Sequence, residues 1–512
     1  MAQKTGEVTR VRLQQALDLL ETVADDIRLL NSLPDDERAR FKQAASRVAH
    51  PDRTMRRKLQ KEELRARRAF RMRRTEESRH DTGIRTLRRK PVFTTPNYYL
   101  PAALDQPATD ASPHAAEPQH CYVCKQPYTN IHHFYDQLCP DCAALNFAKR
   151  TELADLHGRV ALLTGGRVKI GYQAGLKLLR CGAHLIVTTR FPRDSASRYA
   201  AEPDFDEWKD RLEIYGLDLR HTPSVEAFCR EILNRHTRLD VIVNNACQTV
   251  RRPPAFYAHM MAGEEAAMAD MPVAVQRLLG EYEGLRGYRM LPEGDAPGES
   301  ARAREMANVA GLTHAPQLSQ VALLAGEHRA EQGLFPQGRL DQDLQQIDLR
   351  DRNSWRLLLH EVPSVELLEV HLVNAVAPFI INARLKPLML RTSDRDKHIV
   401  NVSAMEGQFY RNFKTTRHPH TNMAKAALNM MTRTSAADYH NDGIHMNSVD
   451  TGWITDEDPV QIAARKTAEH GFHPPLDIVD GAARIVDPIV SGFNSGVHVW
   501  GQFLKDYKPT EW

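Results

Sequence analysis

The chain has 512 residues, room for about three domains at the usual domain size; it is 42% apolar and only 7% aromatic. No uninterrupted run of about 18 apolar residues occurs, which excludes a membrane-spanning helix, and seven cysteines in this length exclude a disulfide framework. The net charge of +3 hides a segregation: Arg53 to Lys90 holds 16 Lys or Arg against five acids, leaving the rest of the chain at −8.

The N-terminus lacks the apolar core of a secretory signal, so a reducing cytoplasm and no membrane association are expected. Residues 8 to 30 carry Leu13, Leu17, Leu20, Val23, Ile27 and Leu30 at helical spacing. A second helical pattern runs through Phe41, Ala45 and Val48, and the two could pair as a hairpin. The basic run follows, helical in propensity with a thin apolar component. Residues 1–90 therefore read as a helical, basic N-terminal region. Residues 91–120 hold six prolines and read as an extended linker.

Cys121-x-x-Cys124 and Cys139-x-x-Cys142 lie 14 residues apart within a segment 121–150. Each pair places two thiolates on one turn, and the separation suits a short hairpin closing around tetrahedral Zn²⁺. Four sulfurs complete the shell, so the expected zinc is structural, and His132 and His133 are expected outside it. Cys181, Cys229 and Cys247 read as small buried apolar residues rather than nucleophiles.

From about residue 151 to the C-terminus the pattern changes. Short apolar runs (VALLT, AHLIVTT, LEIYGLD, LDVIVNN, HIVNVS, HMNSVD) alternate with helical stretches. This predicts an α/β fold, a doubly wound Rossmann-like parallel sheet with helices on both faces. A stretch at about 252–345 breaks the rhythm and reads as an inserted subdomain; its Tyr288 and His314 carry no assignable role. The loop Thr164-Gly165-Gly166-Arg167-Val168-Lys169-Ile170-Gly171 follows a strand pattern and opens a helix. Glycines there let the backbone approach a pyrophosphate, and the helix N-terminus offers free N–H groups.

With these motifs in order the chain resembles the short-chain dehydrogenase/reductase family. The glycine-rich loop matches that family's phosphate loop, Asp218 its adenine-contacting acid, and Asn244-Asn245-Ala246-Cys247 its NNAG. Asn374 matches the structural-catalytic Asn, NVSAMEG the strand carrying the catalytic Ser, and His420 to Leu428 the Tyr-x-x-x-Lys helix. Asp450-Thr451-Gly452 matches the loop beside the nicotinamide. The resemblance implies cofactor contacts from Thr164, Gly165, Gly166, Arg167, Lys169, Ile170, Gly171, Asp218, Leu219, Asn245, Ala246, Lys425, Thr451, Gly452 and Ile454. Arg190, after the second strand, suits the 2′-phosphate of NADP, with NAD the alternative and a solvated loop cation the bland reading.

The departures bear most on function. Lys169 replaces the middle glycine of the loop, and Cys247 the last glycine of NNAG. The serine position holds Ala404, with Ser403 one residue early, and the tyrosine position holds Thr421. A threonine hydroxyl is too weak an acid to replace a phenol beside a lysine. Tyr410, His418 and His420 are the nearby groups able to exchange a proton, while Lys425 and Asn374 keep their expected roles. Tyr410 reads equally as an aromatic supporting its loop. Asn245 to Asn374 spans 129 positions, so the insertion should overhang the cofactor cleft as a lid or substrate pocket, or else serve an oligomer contact.

Two functions compete. One is an NADP(H)-dependent oxidoreductase acting on the carbonyl or alcohol of an unknown small molecule with a non-standard proton donor. The other is a cofactor-binding protein without ordinary turnover, whose arm (residues 53–90) and zinc module engage a polyanion, nucleic acid or partner protein. The arm reads equally as a solvated helix or as one docking on the acidic body. A homo-oligomer is an expectation from the resemblance.

Overall fold

The computed structural model describes every residue except 1, 51, 96–113, 291–298, 326, 328–332 and 412–413. Most of the expected linker thus lies outside the described residues. The chain divides into two compact units, Met1–Arg74 and Thr75–Trp512.

The first unit is helical. A helix Ala2–Asp25 ends before Asp26, whose carboxylate caps a short 3₁₀ turn Ile27–Ser32 by accepting from the Arg28 N–H. The next helix, Asp35–Ala49, opens with Asp35, Asp36 and Glu37, acids placed where free N–H groups favour negative charge. A third helix, Arg53–Arg79, begins here. Of the expected apolar stripe, Leu13, Leu17, Leu20 and Ile27 stay exposed, Val23 is half-buried and Leu30 is buried.

The second unit opens with helix Gly83–Arg89 and an antiparallel hairpin, β1 (His114–His120) with β2 (Pro127–Asn130). Helix Pro140–Thr151 then leads into the body. Eight further strands form one sheet: β3 (Val160–Thr164), β4 (His184–Thr189), β5 (Leu212–Gly216), β6 (Val241–Asn244), β7 (Lys397–Ser403), β8 (Ile444–Asp450), β9 (Phe503–Lys505) and β10 (Lys508–Thr510). Their order is β5-β4-β3-β6-β7-β8-β9-β10, parallel throughout except for β10. The predicted doubly wound sheet is present, and its six predicted strands are β3 to β8. Leu162, Leu163, Ile186, Val187, Ile242, Val243, Ile399 and Val400 are fully buried. Helices on both faces explain why β3, β4 and β6 are nearly continuous apolar runs rather than alternating ones.

A polar seam crosses this core. Asn244 Nδ2 donates to Asn382 Oδ1 (2.9 Å) and Asn401 Oδ1 (2.8 Å). Asn401 in turn donates to Thr432 Oγ1 (2.9 Å), which also receives the Ser448 hydroxyl (2.8 Å). At the opposite, N-terminal end of β7 and β8 sits a histidine group: His398 Nε2 lies 2.9 Å from His498 Nδ1, and His445 stacks on His498.

The insertion covers a sheet edge. Helix Val273–Met290 buries Val275, Leu278, Leu279 and Tyr282 beside β5. Gly216 at the end of β5 lacks the side chain that would collide there, since a Cβ would stand 2.3 Å from the Tyr282 hydroxyl. The backbone N–H of Asp218 donates to Gly311 of helix Glu299–Thr313. An exposed strand edge is thereby closed. The apolar helix Ser364–Met389 is long enough to cross a membrane by length and composition. Here it packs Ile381, Leu385, Leu388 and Met389 into the core.

Candidate functional site

Strand order reverses between β3 and β6, and in such sheets ligands bind at the carboxyl ends of the strands beside that reversal. A cleft of about 320 Å³ lies there, lined by the loops after β3, β4, β5 and β6. Its floor has no room for side chains. A Cβ on Gly165 (φ +70°) would stand 2.8 Å from Ala246 Cα, and one on Gly171 would stand 2.2 Å from the Gly165 carbonyl oxygen. Asn245 clamps the strand ends together, donating to the Thr164 and Gly165 carbonyls (both 3.1 Å), while the Ala246 N–H donates to Thr164 Oγ1. Gly166 packs against Val187.

Lys169, standing where a glycine was expected, keeps the left-handed backbone at φ +55°. Its ammonium lies 4.0 Å from Asp341 and from Asp343, both on the insertion's return segment. Ile170 lines the cleft beside it. Arg167 is buried and donates to Asp194 (2.6 Å) and Gln345 (2.6 Å), so it fastens the same segment over the loop.

Arg190 stands at the end of β4, on the cleft wall. It donates to the Tyr257 hydroxyl (2.7 Å) and to Ser319 (3.3 Å), and its guanidinium lies over the Tyr257 ring. Burial alone would raise the Tyr257 phenol, but the adjacent Arg190, with Arg252 and Arg220, outweighs it and holds the phenol below its ordinary pKa. Asp218 is buried and gripped by Arg220 (2.6 Å), with Leu219 lining the cleft beside it. Arg220 also donates to Glu369 (3.0 Å), which accepts from Gln248 (3.0 Å) and Arg251 (2.9 Å). Glu369 thus stands in the wall between the cleft and a second cavity of about 390 Å³, lined by Arg251, Arg350, Arg352, Glu327, Glu366 and Phe335 among others. Val250 and Tyr257 in the first cleft belong to the insertion or its approach, so inserted residues do reach the cleft.

At the cleft's far side, the helix carrying Asn374 widens into a π-turn, Leu372–Val376, a local irregularity common at functional sites. Asn374 holds the segment after β6 by accepting from the Gln248 N–H (2.8 Å) and donating to its carbonyl (3.2 Å). Lys425 is buried and donates to the Val402 carbonyl (2.8 Å), next to Ser403. Ser403 and Thr421 are buried, and their hydroxyls have no partner among the described residues. His420 is also buried, its ring nitrogens without hydrogen bonds there, with Nε2 3.4 Å from Glu366 Oε1. His418 stacks flat on Trp355 at 3.8 Å, and burial together with nearby His420 lowers it to about 4. Tyr410 is 79% exposed. Glu366 was missed in the sequence because a lone helical glutamate belongs to no motif.

Cys181 and Cys229 are buried as expected. Cys247 is not: it is exposed on the cleft lining, because the position after Ala246 faces the opening rather than the core. His314 bonds its neighbour Thr313, and the side chain of Tyr288 lies outside the described ones.

The four cysteines converge. Their sulfurs lie within 4.8 Å of one another, with Cys124 and Cys139 3.6 Å apart. Tetrahedral zinc with bonds of about 2.3 Å needs sulfurs about 3.8 Å apart, so the cluster fits. His132 Nδ1 instead accepts from the Phe134 N–H (3.1 Å). The segment docks firmly on helix Ile478–Ser495 of the body: Arg150 binds Asp477 (2.7 Å) and Asp480 (2.8 Å), and Tyr135 donates to Asp480. From the basic run, Arg85 pairs with Asp136 and Arg88 donates to the Leu476 carbonyl (2.7 Å).

Thr451 and Gly452 follow β8. Gly452 (φ +81°) donates to Asp450 Oδ1 (2.7 Å), whose other oxygen accepts from the Met405 N–H (2.7 Å). Ile454 is buried beside the cysteine segment.

A doubly wound sheet with a glycine-floored cleft at its switch point defines a Rossmann-like α/β protein. The short chain dehydrogenase model matches residues 159–263, and the enoyl-(acyl carrier protein) reductase model matches residues 353–473. An uncharacterized protein of Acanthamoeba polyphaga mimivirus is 32% identical over 396 residues, covering 75% of this chain and 74% of that protein. Retinol dehydrogenase 14 of Mus musculus is 33% identical over 102 residues, 18% of this chain and only 30% of that enzyme. Among solved structures, an NADPH-bound carbonyl reductase from chicken fatty liver covers 70% of this chain and 100% of its own at 15% identity and a TM-score of 0.40. The chain belongs to the short-chain dehydrogenase/reductase family of oxidoreductases.

Proposed function

We propose that the chain is an NADP(H)-dependent oxidoreductase that interconverts a carbonyl and an alcohol, with His420 and Glu366 replacing the usual phenol. The observation that carries this reading is a glycine-floored cleft with Arg190 and Tyr257 on its wall, together with the His420–Glu366 pair and the buried Ser403 and Thr421 hydroxyls, which have no partner among the described residues. A dinucleotide fits the floor that a Cβ would fill. Arg190, with the Tyr257 hydroxyl, would hold the 2′-phosphate, and Lys169 with the loop N–H groups the pyrophosphate.

When bound, the cofactor supplies or accepts the hydride. Lys425 and Asn374 position the ribose side, Ser403 donates to the substrate oxygen, and the second cavity receives the substrate body. Glu366 faces that cavity, and His420 behind it shares its proton. In the reducing direction the proton held by this pair passes to the substrate oxygen as the carbon gains hydride. Thr421 is too weak an acid to do this. The four cysteines would hold a structural Zn²⁺, closed to substrate by its complete sulfur shell.

Two measurements test the reading. NADPH should bind more tightly than NADH, and Arg190→Glu should erase the preference; an unchanged preference removes the 2′-phosphate assignment. With an aromatic ortho-quinone as probe, His420→Ala and Glu366→Gln should each lower kcat by about 10²- to 10⁴-fold, while Tyr410→Phe leaves it intact. The reverse pattern would transfer the donor role to Tyr410.

A further inference from the structure

The cysteine segment does more than cap the body. Its apolar residues Cys121, Tyr128, Tyr135 and Leu138 share one core with Ile454, Leu476, Ile478 and Val479 of the body. Ile170, at the start of the phosphate-loop helix and on the cleft lining, packs against that same core. A Cβ on Gly481 would stand 3.2 Å from Ile170, so no side chain separates this helix from the loop helix. One directed bond also reaches the loop after β8. The backbone N–H of Trp453 donates to the hydroxyl of Tyr122 (3.0 Å), a residue between the paired cysteines Cys121 and Cys124. Tyr122 is itself fixed by its own N–H to the Gln137 carbonyl (2.9 Å). On its other side the loop after β8 is tied by Asp450 to Met405, next to the buried Ser403 group.

The cluster is therefore one step from both edges of the reactive half of the cleft, and far along the sheet from Arg190. We infer that the metal-loaded cysteine cluster sets the affinity of the cleft for the nicotinamide half of the cofactor, with Tyr122 as the positioning residue. This rests on the NADP(H) and zinc readings above. Without metal the two Cys-x-x-Cys turns lose their common anchor, Tyr122 is freed, and the loop Thr451–Ile454 loses the acceptor that holds it. The adenosine end, built on Arg190, Tyr257 and Arg220, shares no hydrogen bond or ion pair with this module among the described residues and should not respond.

The test compares two ligands on the full chain. NADPH spans the whole cleft, whereas adenosine 2′,5′-bisphosphate fills only the adenosine end. Each is titrated against metal-loaded protein, chelator-treated protein and Tyr122→Phe, with bound zinc counted in every sample. Tyr122→Phe should keep its zinc and its fold yet bind NADPH about tenfold more weakly, the loss expected for one backbone hydrogen bond. Chelation should weaken NADPH at least as much. Both should leave the bisphosphate affinity unchanged, and restoring zinc should rescue the chelated protein but not the variant. Unchanged NADPH affinity in both, or equal losses for both ligands, overturns the inference, as does a wild-type protein that binds NADPH but no metal. A wild-type protein that binds neither nucleotide overturns the cofactor reading itself.

Discussion

Lys169 shows how one side chain can occupy a site that its backbone disfavours. An L-residue at φ +55° gives up about 1–2 kcal/mol relative to right-handed backbone. Lys169 keeps that geometry and places its ammonium over the loop, near Asp341 and Asp343. Lys169→Gly should therefore raise the denaturation midpoint, by about 1 kcal/mol of stability, while weakening NADPH binding. A lower midpoint would show that the ammonium's attraction to the two carboxylates outweighs the strain. Asn401 argues the opposite case. It is fully buried, and Asn401→Ala opens a cavity and takes one hydrogen-bond partner each from Asn244 and Thr432. Asn244 then keeps Asn382, and Thr432 keeps Ser448 and the Leu428 carbonyl. The expected loss is about 2–4 kcal/mol by chemical denaturation; a loss below about 1 kcal/mol would mean water enters the seam.

At the scale of elements, the strands and the glycine loop were legible for a physical reason. A parallel strand covered on both faces tends toward an uninterrupted apolar run, and β3, β4 and β6 come close to one. β7 and β8 keep an apolar centre among the Asn, Ser and His residues of the polar seam and the histidine group. β9 and β10 are only three residues each and carry no periodicity to read. The loop's glycines announce themselves because backbone must approach backbone there. What the sequence hides is partnership at long separation. Arg167 bonds Gln345, 178 positions away, and Tyr257 enters the Arg190 corner from a helix with no strand rhythm. Glu366 meets His420 only because the helix Ser364–His371 packs beside the helix that begins at Pro419. No spacing rule connects such residues. The insertion, readable only as a break in rhythm, supplies the helix that packs beside the edge strand β5.

For the molecule as a whole, the histidines at the foot of the sheet set an acid limit. Burial, and then the neighbouring histidines His445 and His498, hold His398 well below its ordinary pKa; burial likewise lowers His445 and His498. Asp396 and Arg159 face His498, with opposing effects. The unfolded chain binds these protons more readily than the folded one. Stability is then whole above about pH 6.5 and is lost as pH falls from that value toward the lower folded ones. The melting temperature should drop between pH 7.5 and 5.5, and less steeply in His398→Gln. A flat or rising profile over that window would contradict the burial argument.

The helix that closes the β5 edge has a consequence for synthesis on the ribosome. β5 is complete at Gly216, but the helix that shields it ends at Met290. At about 5–20 residues per second, that leaves roughly 4–15 seconds in which a finished strand edge has no cover. During that interval nascent chains on one message present one another with the same unpaired edge. The chain's yield in a cell should then depend on elongation speed through residues 217–290, and slowing translation there would favour pairing between chains over closure within one.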